Sequence, residues 1–469
     1  MSAPLSDEQK IIHLLNRISF GPSRKEVQRI SRLGLRGYLN EQLAPGRIPD
    51  SAVEEKVARL KTMRMNSREL FELYPPPKIA KEAGMAMANP MNAPRLIILE
   101  LQQARLLRAV DSERQLYELM VDFWINHFNV FAAKGADRWL ITSYDRDTIR
   151  PHALGKFRDL LLATAQSPAM LFYLDNWLSV SPNAPAAGVA ANVQRRGINE
   201  NYAREVMELH TIGVEGGYSQ QDVSEVARCF TGWTLRRPRG DAEFYFNPRL
   251  HDPGAKTVLG TRITAGGMED GITVIDLLAR HPATAKFIAK KLVRRFVADD
   301  PPAALVDRAS DAFSRSDGDI RVVLQTIVEA PEFFSREVYQ AKIKKPIEYI
   351  ASALRLMEAE IKVTPQLLRY LARMGEPLFL AQPPTGYPDV GSSWISSDML
   401  LTRMNFATDL VANRVDGARV HSHGPNDIQA LARLIAPDSL SQATQAALAE
   451  SASSEKLALL LAAPEFQRR

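Results

Sequence analysis

The chain has a single cysteine, Cys229, in 469 residues. One thiol excludes an intramolecular disulfide and any metal site built from cysteines. In VSEVARCF it lies at helical spacing among apolar residues, the setting of an inert buried thiol rather than a nucleophile. Long apolar runs are also missing. The longest, near 160–174, is broken by Gln166, Ser167 and Pro168, well short of the roughly 20 residues that cross a bilayer. The N-terminus, MSAPLSDEQKIIHLLNR, lacks a basic start followed by an apolar stretch. As written the chain therefore reads as cytoplasmic, and as exported if a leader was trimmed. A strong excess of one charge sign is absent too, with a net charge of only +5. The basic clusters Arg236-Arg237-Arg239 and Lys342-Lys344-Lys345 are short and carry no interleaved aromatics, so nucleic acid is not an expected partner.

What is present is helical periodicity. Hydrophobic residues make up 45% and charged residues 24%, which suits a globular body. Apolar spacing predicts helices throughout, among them 23–32, 34–43, 111–131, 137–149, 199–211, 318–329, 331–336 and 394–413. Ser219 followed by Asp222 reads as a capping box, and Pro282 and Pro331 suit a first helical position. Strand signals are scarce. EFYFNPRLHDPGAKTVLG alternates and predicts one β-hairpin, with its turn at Asp252-Pro253-Gly254. The expected fold is mainly α, a multi-helix globular bundle with one small β-hairpin insertion. Residues 1–415 form the helical body and 416–469 a C-terminal helical extension packed on it. Two loops interrupt the body. Residues 179–196 are rich in Ala, Pro and Asn and read as mobile. Residues 375–393 carry four prolines, yet also Leu378, Phe379, Leu380 and Tyr387, and read as a cap held on the body. LQTIVEAPEFFSR at 324–336 echoes LALLLAAPEFQRR at 457–469, without a regular period.

The densest chemistry lies in NENYAREVMELH, residues 199–210. On a helix Asn201, Glu205 and Glu208 share a face, and Arg204 and Glu208 are i, i+4 neighbours. Apolar positions surround this narrow polar stripe, so a buried polar network or a site is expected. Three further stretches stand out: His13 with Arg17, His127 in VDFWINHFNVF, and His251-Asp252 with Lys256. Carboxylates held near a histidine and an arginine acquire shifted pKa values, which proton transfer needs. The candidate catalytic residues are His127, Arg204, Glu205, Glu208 and His251. A divalent metal is the cofactor these residue types would hold, with Glu205, Glu208, His127 and His210 as ligands, as in helical di-iron and di-manganese bundles. The usual Glu-x-x-His pairs are missing. A purely structural network and haem ligation by His127 are the other readings.

The chain resembles an uncharacterised bacterial family, domain of unknown function 1800 (DUF1800). The resemblance rests on HLLNRISFGPS, FWINHF, NENYAREVMELHTIGVEGGYSQQDV, ARCFTGW, HDPGAKTVLG and MGEPLFLAQPPTGYP, from about His13 to Ala407. It implies no established reaction. Members are often exported, and their genes often lie beside those of an alkaline-phosphatase-like family, which makes such a protein the implied partner. Some members carry Phe at the position of His210, which shifts weight to Glu205 and Glu208. The functional expectation is an enzyme with a buried Glu/His/Arg site, acid/base or metal-assisted. The alternatives are a non-catalytic scaffold for a partner enzyme, and a haem or electron-transfer protein.

Overall fold

Start and stop signals in the sequence set most of the helices. Ser6 caps Asp7–Ile18 and Ser219 caps Gln220–Cys229, each through a capping box, and Pro282 opens Pro282–Phe296. A computed structural model describes residues 4–82, 93–182, 184, 197–236, 242–264, 266–421, 424–438, 440–452 and 455–469. The mobile loop expected at 179–196 falls largely outside these residues. The fold is mainly α, with helices packed around a large apolar core that includes Trp124, Phe128, Phe157, Phe230 and Trp233 and a small second cluster of Leu70, Tyr74, Ile97 and Trp139. Among the described residues no helix is long and apolar enough to cross a membrane.

Two expected helices, 23–32 and 34–43, are one run, Arg24–Gln42, kinked where Gly34 adopts φ +73°. The hairpin expectation needs correction. Among the described residues there are three two-stranded antiparallel sheets: β1 (Trp233–Arg236) with β2 (Glu243–Phe246), β3 (Lys256–Val258) with β4 (Thr261–Ile263), and β5 (Glu360–Ile361) with β6 (Ala418–Arg419). β2 and β3 do not pair with each other. Asp252-Pro253-Gly254 links two hairpins instead of closing one. Asp252 Oδ1 accepts from Gly254 N at 2.9 Å, a local Asx turn, and Arg228 holds the same carboxylate. The hairpin turn between β3 and β4 falls at Leu259-Gly260, both with positive φ, as a tight primed turn requires.

Residues 375–393 lie across the helical body. A Schellman motif fixes where the segment begins: Glu376 N donates to Leu371 O and Gly375 N to Ala372 O, with Gly375 at φ +91°. Gln102 then holds Leu378 O, Ala132 N donates to Phe379 O, and Tyr173 holds Gln382 O. Leu378 and Phe379 are buried. Gly386 sits so close to the 115–127 helix that a Cβ would lie 2.4 Å from Asn126 O. The 324–336 and 457–469 echo marks two equivalent joints. In each, a helix ends, Ala-Pro-Glu follows, and a phenylalanine (Phe333, Phe466) enters the core. The second joint is sewn to the body by the Ile343–Arg468 bridge and by Arg469 N donating to Lys342 O at 2.8 Å.

Candidate functional site

Between its polar ends, Gln115 and His127, the Gln115–His127 helix carries one polar stripe, Glu118, Asp122 and Asn126, at i, i+4 and i+8, continued by Asn129 just beyond its end. That stripe organises a buried ionic network. Arg150 grips both oxygens of Glu118 at 2.7 and 2.9 Å and reaches Asp145 at 3.0 Å. Asp122 Oδ1 lies 2.7 Å from Arg105, while its Oδ2 is 3.8 Å from Lys345 and 4.0 Å from Arg295. Lys345 is 3.4 Å from Glu376, whose other oxygen accepts from Ile347 N at 2.9 Å. Glu348 pairs with Arg295 and, at 3.1 Å, with Arg469. All these charged groups are buried, Glu376 to 2% exposure.

The lower stripe residues hold the Pro-rich segment. Asn126 Nδ2 donates to Tyr387 O at 2.9 Å and its Oδ1 accepts from Tyr387 N at 2.7 Å. Asn129 Nδ2 donates to both Ala381 O and Pro383 O. Between helix and segment a cavity of about 30 Å³ remains. Arg105, Asp122, Lys345 and Glu376 form its charged side, and Leu378 and Phe379 part of its apolar side. Partly exposed Ile125, Asn126 and Tyr387 also line it and connect it to the surface.

Burial pushes the Glu376 carboxyl up to about 7, against the pull of Lys345 and with Asp122 adding to the rise. Burial acts on Asp122 in the same direction, but Lys345, Arg105 and Arg295 outweigh it and hold that carboxyl below its usual range. Two neighbouring carboxyls are thus driven apart, one ionised and one retaining its proton near neutrality. This is the arrangement from which acid and base roles are assigned. Lys345 stays charged because Asp122 and Glu376 together overcome its burial.

The residues singled out from the sequence fall into three separate places. Asn201–Glu205 is α-helical and Val206–His210 is a π-helical turn; such turns interrupt helices at functional sites more often than elsewhere. Arg204 lies 3.3 Å from Glu208 and 3.6 Å from Glu200. Burial and then Glu208 raise Glu205 above its ordinary value. Yet Asn201 is exposed, and Arg204, Glu205 and Glu208 are half-buried rather than enclosed. His127 lies among Phe123, Trp124 and Phe128, its Nε2 donating to His210 O at 3.1 Å. Burial, helped by Lys291, lowers both His127 and His210, the latter to about 3, so both rings are neutral. His13, lowered chiefly by its burial, gives Nε2–H to Phe333 O. Among the described residues no three His, Cys, Asp or Glu side chains converge as a metal-binding group. Glu205, Glu208, His127 and His210 are not drawn together as one donor set.

His251 belongs to a third cluster. Its Nδ1–H is given to Thr231 O at 2.8 Å. Nε2 lies 3.3 Å from Lys256 Nζ and 3.1 Å from Asp270 Oδ2, and Lys256 lies 2.6 Å from that oxygen. Nε2 accepts from Lys256 when the ring is neutral and donates to Asp270 when it is charged. Asp270 and Lys256 are 1% exposed. This is a closed, satisfied network bracing β3 against the Met268–Ala279 helix. Cys229 is buried and raised to about 12 by that burial, an unreactive thiol.

The profile of the family described as "Protein of unknown function (DUF1800)" matches residues 13–468. The chain belongs to that family. No curated protein and no solved structure matches it. Two of the family-like stretches, FWINHF and MGEPLFLAQPPTGYP, supply Asn126, Glu376, Leu378, Phe379 and Tyr387 to the chamber, and Asp122 immediately precedes the first. The Glu118/Asp122/Asn126/Asn129 stripe, one face away from His127, has a spacing visible in the sequence. Lys342-Lys344-Lys345, a surface-like basic cluster in sequence, is buried throughout.

Proposed function

We propose that this DUF1800 protein is an enzyme that moves protons in the chamber beneath residues 375–393, with Glu376 as acid or base. Asp122 is its ionised partner, Lys345 the cation between them, and Arg105 an electrostatic anchor. The observation that carries this reading is one lysine within 3.4 Å of Glu376 and 3.8 Å of Asp122, beside a cavity that reaches the surface. A perturbed pair of carboxyls at the bottom of a cleft is a functional-site signature with a physical cause. It keeps the expected chemistry, buried acid/base groups between helices, and moves it from Glu205 and Glu208 to Asp122 and Glu376. Arg204, Glu205 and Glu208 on the π-helical turn form a second candidate.

A scaffold reading has its own support. The Glu118–Arg150–Asp145 and Arg295–Glu348–Arg469 groups are ion pairs that join distant helices. Such pairs brace a body that a partner, such as the alkaline-phosphatase-like neighbour, would use as a platform. The experiment that separates the two incubates the protein with a small-molecule extract and follows depletion and appearance by mass spectrometry. Wild type is compared with Glu376→Gln, Asp122→Asn and Glu205→Gln, each checked for folding by circular dichroism. Turnover lost in Glu376→Gln and Asp122→Asn but kept in Glu205→Gln supports the chamber. Turnover lost only in Glu205→Gln moves the site to the π-helical turn. Identical profiles for all four proteins refute catalysis at either place.

A further inference from the structure

We propose that residues 381–387 form a gate over the chamber, which lifts from the Gln115–His127 helix to admit substrate while Leu378 and Phe379 stay in place. The gate serves the acid/base reading of the same site and rests on it. With the gate closed, about 30 Å³ remains beside Glu376, room for about one water. Glu376 itself is 2% exposed. A carboxyl so enclosed meets a substrate only if a wall moves.

The two parts of the wall are held differently. The root of the segment is fixed by apolar burial. Leu378 and Phe379 lie in the core, Gln102 holds Leu378 O, and Ala132 N donates to Phe379 O at 3.1 Å. Beyond Phe379 the attachment becomes polar. Asn126 bonds both N and O of Tyr387, Asn129 bonds Ala381 O and Pro383 O, and Tyr173 bonds Gln382 O. Tyr387 Oη donates back to Pro377 O at 2.6 Å. The backbone bond from Gly386 N to Pro383 O closes a turn within the gate, and no backbone-to-backbone bond joins 381–387 to another described residue. Gln382, Pro383 and Thr385 are exposed, and of the gate residues Ala381 alone is buried. Side-chain bonds to surface carbonyls exchange for water at small net cost. Lifting the root would instead expose two large apolar side chains. The segment therefore parts just after Phe379.

The backbone marks the same joint. Phe379 has φ +63°, a left-handed conformation that is strained for a bulky side chain and persists only where its surroundings enforce it. Hinges are short stretches that absorb such dihedral changes. On the far side Pro388 O accepts from Trp394 Nε1 at 3.2 Å, and Trp394 is buried. The moving part thus ends at Tyr387. Tyr387 lines the cavity beside partly exposed Ile125 and Asn126, so lifting it opens the space that Glu376 and Lys345 line.

Thiol labelling of the whole protein tests this, with buried Cys229 as the internal control. Ala381→Cys and Ala132→Cys, made separately, each place a small buried thiol, one on the gate and one outside its hinge. Each protein is exposed to a maleimide under native conditions and read by peptide mass spectrometry. Six polar contacts hold the gate, each worth about fivefold. The Ala381→Cys thiol should therefore react about ten-thousandfold more slowly than an exposed thiol. Ala132→Cys and Cys229 should be slower still, at the common rate of global unfolding. Adding Asn126→Ala to Ala381→Cys removes two contacts and should raise labelling about 25-fold, leaving Cys229 unchanged. Asn129→Ala removes two others and repeats the test where Asn126→Ala does not fold. Equal rates at Ala381→Cys and Cys229 overturn the gate. Equal rates at Ala381→Cys and Ala132→Cys overturn it too, because the whole segment then loosens together. So does labelling that ignores both asparagine variants. Gate labelling without Glu376-dependent turnover of the extract defeats the acid/base reading alone. Such turnover with Ala381→Cys protected like Cys229 defeats the gate alone.

Discussion

Replacing Glu376 by Gln should change the pH dependence of stability in a direction opposite to that of an ordinary ion-paired carboxylate. In the folded protein burial holds this carboxyl near 7, against an ordinary value of 4.5. Between those two values the native state keeps a proton that the unfolded chain has released. Stability therefore falls as pH rises through the window, and the loss is complete above about 7. The shift corresponds to about 3 kcal/mol of destabilisation by the ionised group. Gln has nearly the same shape, still accepts from Ile347 N, and cannot ionise. Relative to wild type, Glu376→Gln should gain most of that amount, about 2.5 kcal/mol, between pH 5 and pH 8. For 469 residues, an unfolding entropy of about 2.1 cal/mol/K per residue makes this a Tm difference of about 2.5 °C. Scanning calorimetry of both proteins at pH 5, 6.5 and 8 measures it, and the comparison cancels the titrating groups that Glu376 does not touch. A difference that is constant with pH means that Glu376 ionises normally. A difference of opposite slope means that Lys345 outweighs burial. Either result removes the proton store from the proposed mechanism.

Four further outcomes follow from other parts of the molecule. Glu348→Gln leaves Arg295 and Arg469 buried without their shared carboxylate and should cost roughly 3–5 kcal/mol, read as a lower Tm, whereas an unchanged Tm means that water already solvates both guanidiniums. Asp270→Asn should destabilise more than Lys256→Met, because it leaves the Lys256 ammonium buried without its carboxylate, whereas Asp270 without the lysine still accepts from Gly266 N; chemical denaturation showing the reverse order refutes the shared-oxygen geometry. His210→Phe should gain about 2 kcal/mol over wild type on going from pH 8 to pH 5, since the native ring, lowered to about 3, stays neutral while the unfolded ring binds a proton below its ordinary 6.5; equal pH profiles refute it. Glu205→Gln should be neutral or slightly stabilising at pH 7, within about 1 kcal/mol, because it relieves repulsion from Glu208; a large loss of Tm would give that carboxylate a structural partner.

The helical architecture was legible because local signals and burial agree. The Ser219 capping box and the proline-led helix at Pro282 appear as the residues demand. Strand pairing was less legible. Asp252-Pro253-Gly254 carries turn chemistry whether it closes a hairpin or links two, and only Arg228, on a helix two dozen residues earlier, decides which. The half-burial of Glu205 and Glu208 was obscured for a related reason. Helical spacing fixes which residues share a face, but the packing of neighbouring elements decides how deeply that face is covered.

The chamber shows why charged sites are the hardest feature to read from a chain. Lys345 and Glu376 look like any solvated lysine and glutamate until two remote elements meet. Pro346 then starts a helix at Lys345, and the Schellman motif at Gly375 aims Glu376 at it. Neither placement depends on the charge itself. The backbone would bring the two side chains together with any residues at those positions, so their opposition beside Asp122 is a matter of residue choice rather than topology. Burying charge is unfavourable unless it is paired, and hydrophobic residues of similar volume often serve stability as well or better. A network that leaves the buried Arg105 Nη1 and Asp122 Oδ2 without hydrogen bonds is poorly explained by stability alone. Three of the four residues on the chamber's charged side lie where sequence inspection had marked something else: Asp122 beside His127, Lys345 in a basic cluster, and Glu376 at the head of a Pro-rich cap. Polar residues at i, i+4 spacing on a largely apolar helix, as at Glu118, Asp122 and Asn126, were the local sign that charge is carried inward.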